Sequence, residues 1–176
     1  ESVLLTCITD AEEGRDVAVI DIPNAFIQTR IEDEKDMVFI KIRGVLVDTL
    51  CAVAPGACKP RVIAERKGVK QLLVQCQSAI CGTMAASLLC HRKFCNSLTG
   101  IGFKFDPCDP RVANKMTKSK QTTIGFHVDD CKLSHASPKS MDKMIQWLRE
   151  ECKSVFEDGS GKMAVGRVGR FTPAQV

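Results

Sequence analysis

At 176 residues the chain is long enough for one ordinary domain with a real core. Its content of 44% hydrophobic and 26% charged residues excludes wholesale disorder. A net charge of +4 is mildly basic, compatible with a phosphate-bearing partner without demanding one. No apolar run reaches bilayer-spanning length, and no charged-then-apolar start resembles a signal peptide, so no membrane partner is expected. The chain starts on Glu1 rather than Met and is expected to be an excised fragment.

In chain order, Asp16 to Ile22 is an apolar, β-branched run halted by Pro23-Asn24, which predicts a buried strand and a turn. An acidic patch, Glu32-Asp33-Glu34, precedes a second strand over Met37 to Ile42. Residues 51–68 hold Pro, Gly and several charges and read as an irregular excursion, followed by a short strand at Gln71 to Val74. Met84, Leu88, Phe94 and Leu98 recur at mostly helical intervals, with Gly100 as a stop signal, so Thr83 to Leu98 is expected to be a helix. Ile101 to Phe105 and Arg111 to Thr117 read as strands. Lys118 to Gln121 then turns the chain into Thr122 to Val128, and Cys131 to Ser134 returns.

Ser137-Pro138 followed by Met141, Met144, Ile145, Leu148, Cys152 and Phe156 predicts an amphipathic helix, with Ser137 as N-cap and Pro138 at the first helical position. Beyond Asp158 the glycines predict a turn and a weakly specified tail over 161–176. The fold class expected is α+β, an antiparallel split β-α-β sheet backed by helices.

Cysteine usage is unusual: ten Cys and no Tyr, beside eight Phe and one Trp. No CxxC pair occurs, and the spacing is not that of a small stapled scaffold, so free thiols in a reducing compartment are expected. Cys90, His91 and Cys95, with Cys76 or Cys81, invite a zinc reading, but a single C-x₄-C on a helix fits structural zinc poorly. Lys59, Arg61, Arg66, Lys67 and Lys70 form a basic group that either touches phosphates or is simply solvated.

Asp129-Asp130 falls at the tip of an apolar hairpin, where an Asp pair alone is an ordinary turn signal. Asp21 changes that balance, because it ends another buried strand where a lone carboxylate is costly. If the two strands are neighbours, three carboxylates converge and need a strong positive charge between them. Magnesium, a hard cation taking oxygen ligands, suits such a set. Two ions, with Mn²⁺ as a possible substitute, would serve nucleotidyl transfer.

Val19 to Gln28, with Asp21 and Phe26, followed by the acidic stretch and Met37, resembles the first catalytic motif of Ty1/copia-type retrotransposon reverse transcriptases. Phe126-His127-Val128-Asp129-Asp130 resembles that family's Tyr-Val-Asp-Asp box. Gln71 to Gly82, Leu98 to Phe103 and Asp106 to Pro110 are similar to its intervening segments. The likeness spans about residues 15 to 160, read as a polymerase palm with partial fingers over 1–160.

The resemblance implies an RNA-directed DNA polymerase fragment from a transposable element, with Asp21, Asp129 and Asp130 as catalytic metal ligands. It implies Phe26 as the gate against a ribose 2′-hydroxyl, and it puts Ala85 where the family has a Gln contacting the incoming nucleotide. The implied partners are an RNA or DNA template with primer, deoxynucleotides, and the remaining polyprotein domains (fingers, thumb and RNase H). The implied location is intracellular, in a cytoplasmic particle or the nucleus. The chain departs from the pattern at Ala85 and Leu88, and it carries Cys81 and His127 where the family commonly has Tyr. The alternative expectation is a catalytically inactive remnant acting at most as a nucleic-acid-binding module. Exposed Phe on the sheet face would favour that reading, and carboxylates there would favour catalysis.

Overall fold

In the computed structural model of the chain, residues 2–64, 69–117, 119–152 and 163–170 are described. They form a mixed α/β fold with antiparallel sheets and five α-helices. The elements run α1 (Ser2–Glu12), β1 (Asp16–Asp21), β2 (Phe39–Arg43), α2 (Val45–Val53), α3 (Pro55–Cys58), β3 (Val62–Ala64) and β4 (Lys70–Gln75). They continue with α4 (Met84–Gly100), β5 (Lys104–Phe105), β6 (Val112–Thr117), β7 (Lys120–His127), β8 (Asp130–His135), α5 (Pro138–Glu151) and β9 (Ala164–Arg170). No described helix is long and apolar enough to cross a membrane.

The main sheet has six strands in the order β5-β6-β7-β8-β1-β9, every pair antiparallel. Side chains alternate across it, as the two-residue strand period requires. Ala18, Ile20, Ile124, Cys131 and Leu133 point to one face and are almost fully buried. That face joins one core with α4 and α5. On α4 the buried residues Ala86, Cys90, Phe94 and Leu98 repeat every four positions, and on α5 Met141, Ile145 and Leu148 do the same work. Leu88, counted by sequence among the apolar stripe of α4, is instead half-exposed on the helix flank. Each fully buried aliphatic side chain contributes roughly 1.5–3 kcal/mol, so this face holds most of the domain's stability.

The start of α5 follows expectation, with Pro138 in its first turn and Ser137 as N-cap in extended backbone. The Ser137 hydroxyl makes no capping bond; its backbone N–H donates to His135 Nδ1 at 2.7 Å. Phe156, the last residue of the sequence-predicted stripe, lies outside the described residues, as do Lys118 of the β6–β7 turn and Arg66 and Lys67 of the basic group.

Several segments differ from the sequence-based expectation: helix α1 was not expected, and of the strand expected over Ile101 to Phe105 only Lys104–Phe105 pairs. The irregular excursion over 51–68 contains the end of α2, all of α3 and β3. Strand β3 pairs with β4, which pairs with β2, making a separate three-stranded sheet. Helix α2 carries no sequence signal of an inward face, because only Val47 is buried while Val45, Leu46 and Val53 stay exposed.

The segment read as a weakly specified tail carries β9, which pairs along the whole of β1. Gly166 lies in the regular ladder opposite Val19, and Gly169 belongs to a bulge rather than a loop. The register slips between Val17 and Ala18 of β1, opposite Gly169 and Arg167, and Gly169 adopts φ 84, a conformation glycine reaches without strain.

Candidate active site

The face of the main sheet opposite α4 and α5 is built in rungs set by the register of β1, β8 and β7. The innermost rung joins Val17, Ser134 and Thr123, all buried. The middle rung joins Val19, Lys132 and Gly125, partly open. The outermost joins Asp21, Asp130 and His127, all exposed. Asp129 follows in the hairpin turn and is exposed too.

The geometry of the outer rung follows from one hydrogen bond. Ile22 N–H donates to the Asp129 carbonyl at 2.8 Å, beyond the Asp21–Asp130 pair. That flanking position makes Asp21 and Asp130 a non-hydrogen-bonded pair, in which Cα atoms sit about 4.5 Å apart and side chains lean closest. On the other side Asp21 faces Ala164 of β9. Like charges directly opposite each other destabilise a sheet. No ion pair to Asp21, Asp129 or Asp130 forms among the described residues.

The hairpin tip is held from below. Phe126, the residue before His127, meets Phe94 of α4 edge-on at 4.9 Å, His91 at 5.5 Å and Phe105 at 6.4 Å between ring centroids. Above that anchor Val128 turns the chain with φ 58. A β-branched residue in left-handed backbone is strained, and such strain persists only where surrounding contacts over-determine it.

Three thiols lie beneath the tip. Burial pushes Cys131 far above its ordinary value, with the neighbouring Cys152 thiol and the Asp130 charge adding to it. Burial likewise raises Cys90, against a lowering hydrogen bond to Thr29, and raises Cys152 to about 11. These thiols stay protonated and inert at neutral pH, and all ten cysteines are free.

The other end of the open face is closed by α1, which the sequence reading did not anticipate. The helix turns polar residues toward the sheet. Asp10 is 0% exposed and pairs with Lys132 of the middle rung and with Arg15 at 3.6 Å. Lys132 also donates to Thr6 Oγ1 at 2.9 Å, and Arg15 Nη1 donates to Thr123 Oγ1 at 2.8 Å. Thr6, Thr9 and Asp10, spaced i, i+3 and i+4, were the available signal. It was hidden because a helix is normally recognised by an apolar stripe facing inward, and here Val3, Leu4, Leu5 and Ile8 face outward.

Between α1 and the outer rung runs a cleft of about 440 Å³, walled by Val19, Asp130, Lys132 and His127 with Arg111 opposite. Phe26 sits in the turn after β1, half-buried, and packs its ring on the core rather than standing in this cleft. Ala85 is half-buried in the first turn of α4 and does not line the cleft. The zinc reading gains no support. Cys95 and His91 lie one turn apart at 3.6 Å, and among the described residues no group of three His, Cys, Asp or Glu stands ready to hold a metal.

That last observation bears on magnesium as well. Donor chemistry and backbone register suit a hard divalent cation at Asp21, Asp129 and Asp130, while the side-chain conformations as they stand do not gather three ligands. Exposed carboxylates swing between rotamers cheaply, so register is the more durable of the two observations. Comparison with known protein families, with curated proteins and with solved structures gave no match to the chain.

Proposed function

We propose that the chain is a palm-type fragment of an RNA-directed DNA polymerase of the Ty1/copia kind, extending a primer 3′-hydroxyl with deoxynucleotides. On this reading the main sheet with α4 and α5 is the split β-α-β palm, and β2, β3 and β4 belong to partial fingers. The observation that carries it is the Asp21–Asp130 rung, with Asp129 one residue away in a strained turn. An Asp-Asp pair chosen only to make a turn has no reason to meet a third carboxylate across a non-hydrogen-bonded strand pair.

Magnesium ions held by Asp21, Asp129 and Asp130 would neutralise phosphate charge and polarise the reacting oxygens. The chain's own residues fix where this happens. The Phe126 cluster anchors the hairpin on α4, and the β1–β8 ladder sets Asp21 against Asp130. Template and primer would lie along the exposed outer rung; Phe26, whose ring packs on the core, would have to swing out from the turn after β1 to gate the sugar. The sheet face carries carboxylates where an RNA-binding sheet carries stacking aromatics. Remaining polyprotein domains would complete the cleft, in a cytoplasmic particle or the nucleus.

Primer extension on an RNA template, with Mg²⁺ or Mn²⁺, tests the reading. Asp130→Asn and Asp21→Asn are each expected to lower incorporation by about 100-fold or more. Equal incorporation by the wild type and both variants would sink it. The second reading, an inactive remnant that only binds nucleic acid, draws on the ungathered carboxylates and on Ala85 and Leu88. It predicts template binding that ignores all three aspartates and shows no divalent dependence.

A further inference from the structure

Beneath α1, on the side away from the carboxylates, lies a second cavity of about 370 Å³. It shares Ser2, Asp109 and Val112 with the Asp130 cleft, which adjoins it. Its volume falls in the range of small-molecule sites. Its inner wall is a polar network of defined direction. Arg15, 2% exposed, donates through Nη1 to Thr123 Oγ1; Thr123 Oγ1 donates to Asn114 Oδ1 at 2.8 Å. Gln121 Nε2 donates to Asn114 Oδ1 at 2.8 Å and to Thr123 Oγ1 at 3.1 Å.

This network fixes both amides. Asn114 uses its oxygen twice and Gln121 uses its nitrogen twice. The Asn114 NH₂ donors and the Gln121 carbonyl acceptor are left without a partner among the described residues. Both side chains are half-exposed and line the cavity, facing each other from neighbouring strands near the Asn114–Thr123 rung. With Asn114 keeping donors and Gln121 an acceptor, the linked amide pair offers both halves of the complement to a nucleobase edge, where donor and acceptor stand side by side.

Charge decides which part of a nucleotide fits. The Arg15 guanidinium is already engaged by Asp10 and Glu13, and the outer wall carries Asp106 and Asp109. Asp109 is held below its ordinary value by hydrogen bonds from Ser2 and the Arg111 backbone, so it stays ionised. A phosphate finds no spare cation here and two carboxylates against it. An uncharged base finds Val112 and the largely exposed rim residue Leu5 as apolar lining and the amide pair for its edge.

We propose that the cavity under α1 is a nucleobase site, taking an uncharged nucleoside or an unstacked base of a strand by its hydrogen-bonding edge. The site is separate from Asp21, Asp129 and Asp130 and does not rest on the polymerase reading.

Titration of the full chain with adenosine, ribose and adenosine 5′-monophosphate, without divalent cations and followed by NMR, tests it. Adenosine is expected to bind saturably with shifts at Asn114, Gln121 and Thr123, ribose not at all, and the monophosphate at least about tenfold more weakly. Gln121→Leu removes the acceptor, and Leu5→Trp fills the cavity from an exposed helix position without touching the network. Each is expected to abolish binding while the thermal midpoint stays near that of the wild type. Asp130→Asn should bind adenosine as the wild type does, whether or not it extends primers. Absence of saturable adenosine binding, equal binding of ribose, or binding indifferent to both cavity variants overturns the proposal.

Discussion

The two faces of the main sheet are built on opposite principles. One presents Ile20, Ile124 and Leu133 to α4 and α5 and is apolar through its centre, with the buried polar residues Asp16, Thr122 and His135 at one end. The other is polar and graded, clamped by α1 at one end through Asp10, Arg15 and Lys132 and open at the other, where Asp21 and Asp130 stand. A strand contributes to both faces at once, so one run of sequence supplies the core and the candidate site with alternate residues, as Ile20 and Asp21 do on β1 and Cys131 and Asp130 on β8. Stability and chemistry are thereby separated by a single residue step.

Substitutions on the two faces should therefore differ sharply. Leu133→Ala, on the apolar face, is expected to cost about 3 kcal/mol in urea unfolding, because it removes buried methyl groups and leaves a cavity. Asp10→Asn, under α1, is expected to cost nearly as much, about 3 kcal/mol, since it leaves Arg15 and Lys132 short of a buried counter-charge. A cost under about 1 kcal/mol there would mean the clamp is worth no more than a surface ion pair.

At the hairpin tip the sign reverses. Val128→Gly should stabilise by about 1 kcal/mol by relieving left-handed strain. A loss of stability would show that the side chain's packing outweighs its backbone cost.

The thiols beneath the tip give a pH signature. Cys152 titrates near 11 in the folded chain against an ordinary 9.0, so between those values the unfolded chain has lost the proton that the native state keeps. Stability from this group is fully present below pH 9 and falls as pH rises toward 11. Cys152→Ser should flatten that fall in equilibrium unfolding measured from pH 8 to 11. Smallest of all, Asp130→Asn should leave stability within about 0.5 kcal/mol of wild type while lowering the primer extension proposed above by about 100-fold or more. A large change in unfolding free energy would make Asp130 a structural residue instead.

Much of the apolar face was legible in the sequence because its signals are local. The run at Asp16 to Ile22 gave β1, the hairpin around Asp129-Asp130 gave β7 and β8, and the Met141 to Leu148 spacing gave α5. The candidate carboxylates were legible for the same reason, each ending an apolar run. Helix α1 was not, since its apolar residues face outward and its inward side is held by charge. Strand β9 was not, since a glycine needed for a bulge looks like a loop glycine until the partner strand is known.

What the sequence determined alone was which residues alternate, which runs are apolar, and that three aspartates end strands or turns. Tertiary structure decided what those aspartates meet. Only the β1–β8 register puts Asp21 opposite Asp130, and a slip of one residue would have turned Asp21 into the core. Register is fixed by the sum of buried contacts along both strands, so it cannot be read from either strand by itself.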